Sequence, residues 1–223
     1  MPLIVSLLGG ESTGKTTLGE ALLGRLNGLG IKTRLVPEHL RDWCTSHGRA
    51  PQASEQTEIA WEQTRLIEQA AETPGLQVLL TDTSPLVIAA YSEHYFNDTS
   101  LYSQALDQQR RVGLTLLMGL DLPWVADGCL RDGPRVRDAI DTLLRRHMLA
   151  INLPFQTIHG VGDARTHQAL RAIGLALGRP LVPHDPDGPR GRRPWVCDSC
   201  SDPDCEHRLF TQLLQQRPVV NTP

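Results

Sequence analysis

No stretch of the 223-residue chain approaches the ~20 consecutive apolar residues that a membrane-spanning helix requires, so a membrane-embedded role is not expected. A leader-like start is missing too. MPLIVSLLGG is apolar for only about six residues, has no basic residue ahead of them, and runs into glycines instead of a small-residue cleavage motif. These residues read as a buried strand. Lys plus Arg number 22 and Asp plus Glu 25, a formal charge of −3 that gives no overall pull toward nucleic acid or an anionic surface. A small-molecule partner is expected, with neither membrane nor nucleic acid. There is no disulfide framework: the cysteines number five, with Cys44 and Cys129 isolated and Cys197, Cys200 and Cys205 within nine residues. That usage suits a reducing compartment. No internal repeat is evident, and nothing in the composition speaks to oligomeric state.

What is present alternates. β-rich apolar runs occur at 3–8 (LIVSLL), 33–37 (TRLVP), 76–82 (LQVLLTD), 113–119 (GLTLLMG) and 154–159 (PFQTIH), with longer segments of helical spacing between them. Strands separated by helices predict an α/β fold, a mainly parallel sheet with helices on both faces. In the first helical segment Leu18, Leu22, Leu26 and Leu29 make one apolar stripe. Residues 54–72 read as a polar-rich helix, and 134–151 as another with Ile140, Leu143, Leu144 and Met148 on its core face. From Gly178 the texture changes, because GRPLVPHDPDGPRGRRPW holds five prolines and three glycines. The expected division is a main domain over 1–178 and, over 179–223, a Pro/Gly-rich strap with a short Cys-rich tail.

Between the first apolar run and the first helical segment lies GGESTGKT, residues 9–16. Gly9-x4-Gly14-Lys15-Thr16 between a strand and a helix is a Walker A phosphate loop in the context that motif requires. Backbone N–H groups of Gly10, Glu11, Ser12, Thr13 and Gly14, with the helix N-terminus behind them, are expected to cradle the phosphates of ATP, along with Thr16 and Thr17. Lys15 would reach the β and γ oxygens, and the Thr16 hydroxyl suits Mg2+. Asp82, at the end of the third strand, sits where a second acidic group would face the metal. It is equally placed to cap the helix that Ser84-Pro85 begins. A need for ATP and the cysteine usage together lead us to expect a cytoplasmic protein.

The string GGESTGKTTL goes beyond Walker A and resembles the ribosylnicotinamide kinase domain of bacterial NAD-biosynthesis regulators and related stand-alone P-loop ATPases. Three further segments are similar in order: VPEHLRDW (36–43), TDTSPLVIAAYSEHYF (81–96) and LLMGLDLPWVADGCLRDGPRVR (116–137). The resemblance spans roughly residues 2–175 and implies a P-loop NTPase fold of the nucleoside and nucleotide kinase type. It also implies transfer of the γ-phosphoryl of Mg-ATP to the 5′-hydroxyl of a nucleoside, nicotinamide riboside first, as part of NAD biosynthesis. Ser84 stands where the family favours an acidic residue, and Cys129 interrupts the run from Asp-Gly to arginine.

Phosphoryl transfer asks mainly for positioning and charge neutralisation. Glu38, closing the second strand, is the candidate base or ribose holder, with an ion pair to Arg41 as its alternative role. Arg41 itself is a candidate for the substrate. Arg131, Arg135 and Arg137, among Gly128, Gly133 and Pro134, have the composition of a loop that brings guanidinium groups to the transferred phosphoryl. Trp124, between Asp121 and Asp127, is expected to stack on a planar cationic ring in a pocket that includes Asp127, or else to pack in a loop. HGVGDAR (159–165) resembles an adenine-contacting loop and brings Arg165 to ATP, although Asp163 also reads as a helix cap.

Cys197, Cys200, Cys205 and His207 are of the right type for a closed tetrahedral Zn2+ site, though the spacing also permits free or redox-active thiols. A second class of function therefore stays open. The phosphate loop would then serve an ATPase switch whose Cys-rich tail binds a protein or nucleic acid.

Overall fold

Runs of Leu, Ile and Val that are apolar on both sides belong in strands covered on both faces. The computed structural model, which describes residues 1–125 and 133–182, builds five of them into one sheet. They are β1 (Leu3–Leu8), β2 (Thr33–Val36), β3 (Val78–Asp82), β4 (Leu114–Met118) and β5 (Gln156–Ile158). The order is β2-β3-β1-β4-β5, and every pairing is parallel. Around the sheet run α1 (Lys15–Gly28), α2 (His39–His47), α3 (Gln56–Ala71), α4 (Pro85–Phe96), α5 (Tyr102–Gln109), α6 (Pro134–Ala150) and α7 (Asp163–Ala176). Met1–Val182 forms one compact unit. Among the described residues no helix is long and apolar enough to cross a membrane.

Alternation along the strands feeds two main cores and a small third cluster of Val36, Ala70, Leu76 and Leu79. Val5 and Leu7 of β1, with Leu116 and Met118 of β4, pack beneath α1 and α7. Leu8 and Leu117 point the other way, into the layer made by α3, α4, α5 and α6. Leu18, Leu22 and Leu26 of the α1 stripe are buried as expected, but Leu29 is 53% exposed. The helix has ended at Gly28, and Gly30 turns the chain at φ 73°. Ile31 closes that turn, its N–H donating to the Leu26 carbonyl at 3.0 Å, and takes the buried place instead at 1% exposure. In α6, Ile140, Leu144 and Met148 are fully buried, while Leu143 sits partly buried at the margin of the same core.

Because the strands are all parallel, their carboxyl ends share one edge, where ligands of open α/β sheets bind. β1, the central strand, delivers residues 9–16 there. Its neighbour β3 delivers Asp82, and β2 delivers Glu38.

Candidate active site at the carboxyl edge of the sheet

The loop after β1 has the conformation its glycines require. Gly14 lies at φ 78°, a region L side chains rarely adopt, and a Cβ there would come within 2.9 Å of Leu122 Cδ1. Ser12 is also left-handed, at φ 55°, and such alternation turns successive N–H groups into one concavity. Thr13 Oγ1 donates to the Gly10 carbonyl at 2.8 Å, and Lys15 Nζ donates to the same oxygen at 3.0 Å. Lys15, 7% exposed, is thus held inside the loop by an acceptor it can exchange for a phosphate oxygen.

Beside the loop, β1 and β3 pair so that Leu7 stands opposite Asp82. This register brings the Asp82 carboxylate to the first turn of α1, where Oδ2 accepts from Thr16 Oγ1 at 2.5 Å. Asp82 is 2% exposed and its other oxygen, Oδ1, has no hydrogen-bond partner. It does not cap α4. That role falls to Ser84, whose Oγ accepts from the Leu86 N–H, with Pro85 at the first helical position. A buried, half-unpaired carboxylate touching a threonine hydroxyl beside a phosphate cradle fits a hard cation that keeps most of its waters, so the donor set suits Mg2+. Thr83 next to it has φ 84°, an outlier for a β-branched residue, and its buried hydroxyl is unpartnered. Strain of this kind is a feature of functional edges.

A cavity of about 830 Å³ opens from the loop, lined by residues 11–17 and by Glu38, Leu40, Arg41, Cys44, Gln56, Tyr91, Tyr95 and Phe96. Glu38 is the N-terminal flanking residue of α2, its side chain 12% exposed, and Arg41 Nη2 stands 3.7 Å from its Oε2. Both the carboxylate and its loose cation therefore face the cavity. Tyr91 OH accepts the Glu11 N–H at 3.1 Å. Burial, reinforced by Glu38 and Glu11, pushes its hydroxyl well above the ordinary phenol range, so Tyr91 is a neutral donor at any working pH. Tyr95 lies one turn on, its ring roughly parallel to Tyr91 with centroids 6.2 Å apart.

Other expected site residues are placed differently. Trp124 does not line the cavity. Its indole N–H donates to Glu11 Oε1 at 3.3 Å, and the same oxygen accepts the Gly133 N–H at 3.0 Å. Ser12 Oγ accepts the Val125 N–H at 2.9 Å. Residues 11 and 12 of the phosphate loop thus hold both chain ends that flank 126–132. Arg135 is exposed in the first turn of α6. Arg137 is 9% exposed and donates to the Leu122 carbonyl at 2.8 Å. Arg165, expected at ATP, is 4% exposed and donates to the carbonyls of Gly160, Gly119 and Ile158, with Asp121 at 3.5 Å. Burial lowers its pKa, and the guanidinium works as a strut joining the ends of β4 and β5. Asp163 pairs with exposed Arg25 at 3.2 Å. Asp127, Arg131, Cys197, Cys200, Cys205 and His207 lie outside the described residues. Among the described residues no group of three or more His, Cys, Asp or Glu could hold a metal.

A protein-family model described as an AAA domain matches residues 4–165. The chain belongs to that family. It is 32% identical over 156 residues to the trifunctional NAD biosynthesis/regulator protein NadR of Salmonella typhimurium (strain LT2), and 31% identical over 156 residues to that of Escherichia coli (strain K12). Each alignment covers 68% of this chain and 37% of the relative, so the chain spans little more than a third of those proteins. Among solved structures, NadR protein in complex with NR superposes with a TM-score of 0.68 at 19% identity, over 82% of this chain and 53% of that one. Thymidylate kinase from Ehrlichia chaffeensis gives 0.56 at 14% identity, over 77% of this chain and 98% of that one. These likenesses show the fold: a P-loop domain with a parallel five-stranded sheet, of the kind also built by nucleotide kinases.

Within this AAA-family domain, sequence reasoning passed over Gln56, Tyr91, Tyr95 and Thr83. The tyrosines carried a signal, since their spacing of four puts both on one face of α4. Thr83 carried none, because positive φ at a threonine is imposed by the tertiary structure.

Proposed function

We propose that the protein is an ATP-dependent nucleoside kinase and that nicotinamide riboside is its acceptor. The observation that carries this reading is one cavity shared by a phosphate loop and an acidic, aromatic-walled pocket, with Lys15 at the loop and Glu38 in the wall. Homology to NadR, named for NAD biosynthesis, and the fold shared with NadR in complex with NR support the choice of acceptor.

The roles follow from position. Loop N–H groups and the α1 N-terminus receive the β- and γ-phosphates, and Lys15 leaves the Gly10 carbonyl to neutralise them. Thr16 and Asp82 would hold Mg2+, which supplies charge neutralisation on the phosphates when bound. Glu38 accepts the proton of the 5′-hydroxyl as its oxygen bonds to the γ-phosphorus and the bond to the ADP oxygen breaks. Arg41 and the O–H of Tyr91 orient the ribose beside it. Arg135, exposed at the start of α6, would supply guanidinium charge to the transferred phosphoryl, a role the sequence also assigns to Arg131, which lies outside the described residues.

The test is a mass-detected assay with Mg-ATP and a nucleoside panel, using Lys15→Ala as the blank. The reading predicts phosphorylated nicotinamide riboside that disappears in the variant. ATP binding with no acceptor turned over would refute it.

A further inference from the structure

Among the described residues three glutamines are buried, and two of them have both ends of the amide hydrogen-bonded. Gln63 accepts the His39 N–H at 2.8 Å and donates to the Pro37 carbonyl at 3.3 Å. Gln109 accepts from Ser84 Oγ at 2.8 Å and donates to Thr115 Oγ1 at 2.9 Å. Gln56 differs. It is 4% exposed and lines the cavity, yet its Oε1 has no partner. A buried amide left open in this way is unusual in a native fold and signals a missing partner.

The backbone around Gln56 is fixed. Arg49 grips Glu55 through two contacts of 2.8 and 2.7 Å, and the Glu55 carboxylate accepts the Gln52 N–H at 2.7 Å, closing a capping box one residue before α3 begins. Gln56 is thus carried by a rigid helix start at the cavity.

We infer that Gln56 recognises a planar carboxamide on the base of the acceptor nucleoside and so selects the amide over the corresponding carboxylate. This inference rests on the riboside kinase reading. An amide offers one donor and one acceptor in a plane, and a second amide satisfies both at once. A carboxylate offers acceptors alone, so Oε1 would stay unpaired and would face an anion. Glu38 and Glu11 line the same cavity and add to that penalty, while its cations are already committed, Arg41 leaning on Glu38 and Lys15 held in the phosphate loop. Sites with a buried hydrogen-bonding group reject ligands that leave the group unpaired far more strongly than they reject changes of shape.

The experiment compares initial rates with nicotinamide riboside and nicotinic acid riboside at saturating Mg-ATP, for the wild type, Gln56→Met and Gln56→Glu. The wild type is expected to prefer the amide by about tenfold or more in kcat/KM. Gln56→Met, similar in volume but unable to pair, is expected to lose about 10–100-fold on the amide, mainly in KM, and to change little on the acid. Gln56→Glu keeps an acceptor for the amide N–H and should reject the acid further. The KM for ATP should stay at the wild-type value in a variant that folds. A wild type without amide preference, or equal losses on both substrates in either variant, overturns the role of Gln56 while leaving the kinase reading intact. A wild type that phosphorylates neither riboside overturns the kinase reading, and this inference with it.

Discussion

Replacing Asp82 with Asn should make the nucleotide-free protein more stable and the enzyme far worse. The carboxylate is 2% exposed, one oxygen bonded to Thr16 and the other to nothing. A buried charged group that is only half satisfied costs about 1–3 kcal/mol, and the isosteric amide removes the charge while its own oxygen can still accept from Thr16. For a domain of this size 1 kcal/mol corresponds to roughly 2–4 °C, so the melting midpoint in metal-free buffer should rise by about 2–12 °C. With Mg-ATP the sign reverses. Losing the anionic partner of the metal should reduce kcat/KM by about 10²–10³-fold, some 3–4 kcal/mol of transition-state stabilisation, and raise the Mg2+ concentration needed for half-maximal rate. Calorimetry without nucleotide and a magnesium titration of the phosphotransfer rate read the two effects separately. If Asp82→Asn melts lower while activity stays within about threefold, Asp82 is a structural partner of Thr16 and its catalytic assignment fails.

Glu38→Gln should lower kcat by about 10²–10⁴-fold with little change in the KM for ATP, because it removes the proposed proton acceptor and leaves the phosphate loop intact; a full-rate variant in the same assay would refute its role. Away from the site, Glu93 joins α4 to α6. Burial pushes its carboxyl up, but hydrogen bonds from Tyr102, Arg146 and His147 outweigh that and hold it at about 2, below its ordinary 4.5. A depressed carboxyl contributes stability that is fully present above the unfolded value and is lost as pH falls through the folded one. The midpoint should therefore decline between pH 4.5 and about 2, and Glu93→Gln should flatten that part of the profile. An unchanged profile in melts run across this range would show that the α4–α6 clamp does not carry the acid sensitivity.

How much of this was legible in the sequence depends on the distance over which each feature is decided. The five strands fall within the five apolar runs, each trimmed by no more than a few residues, because strands buried on both faces need continuous apolar sequence. The phosphate loop was legible for a similar reason: its glycines, lysine and threonine act through backbone geometry set within eight residues. Asp82 could be nominated but not assigned, since capping and metal holding ask for the same residue type at the same place. Ser84 takes the capping role, and the β1–β3 register places Asp82 beside Thr16 instead.

What the sequence hid is what depends on two distant segments meeting. Trp124 could be read as a stacking ring or as loop packing, and nothing in the sequence tells that its N–H goes to Glu11, 113 positions earlier. Arg165 has the look of an ATP-facing cation until the ends of β4 and β5 close around it and its donors go to backbone carbonyls. Gln56 is one polar residue at the head of a polar helix, indistinguishable by pattern from Gln63 two turns along the same face. Only the packing of α3 against its neighbours separates them: Gln63 meets the backbone of residues 37 and 39, whereas Gln56 meets the cavity. Phosphate chemistry in this protein is written locally and can be read from a short string. On the proposed reading the choice of acceptor falls to side chains from the phosphate loop, α2, α3 and α4, which line one cavity only after folding, and for that reason the substrate is harder to read than the reaction.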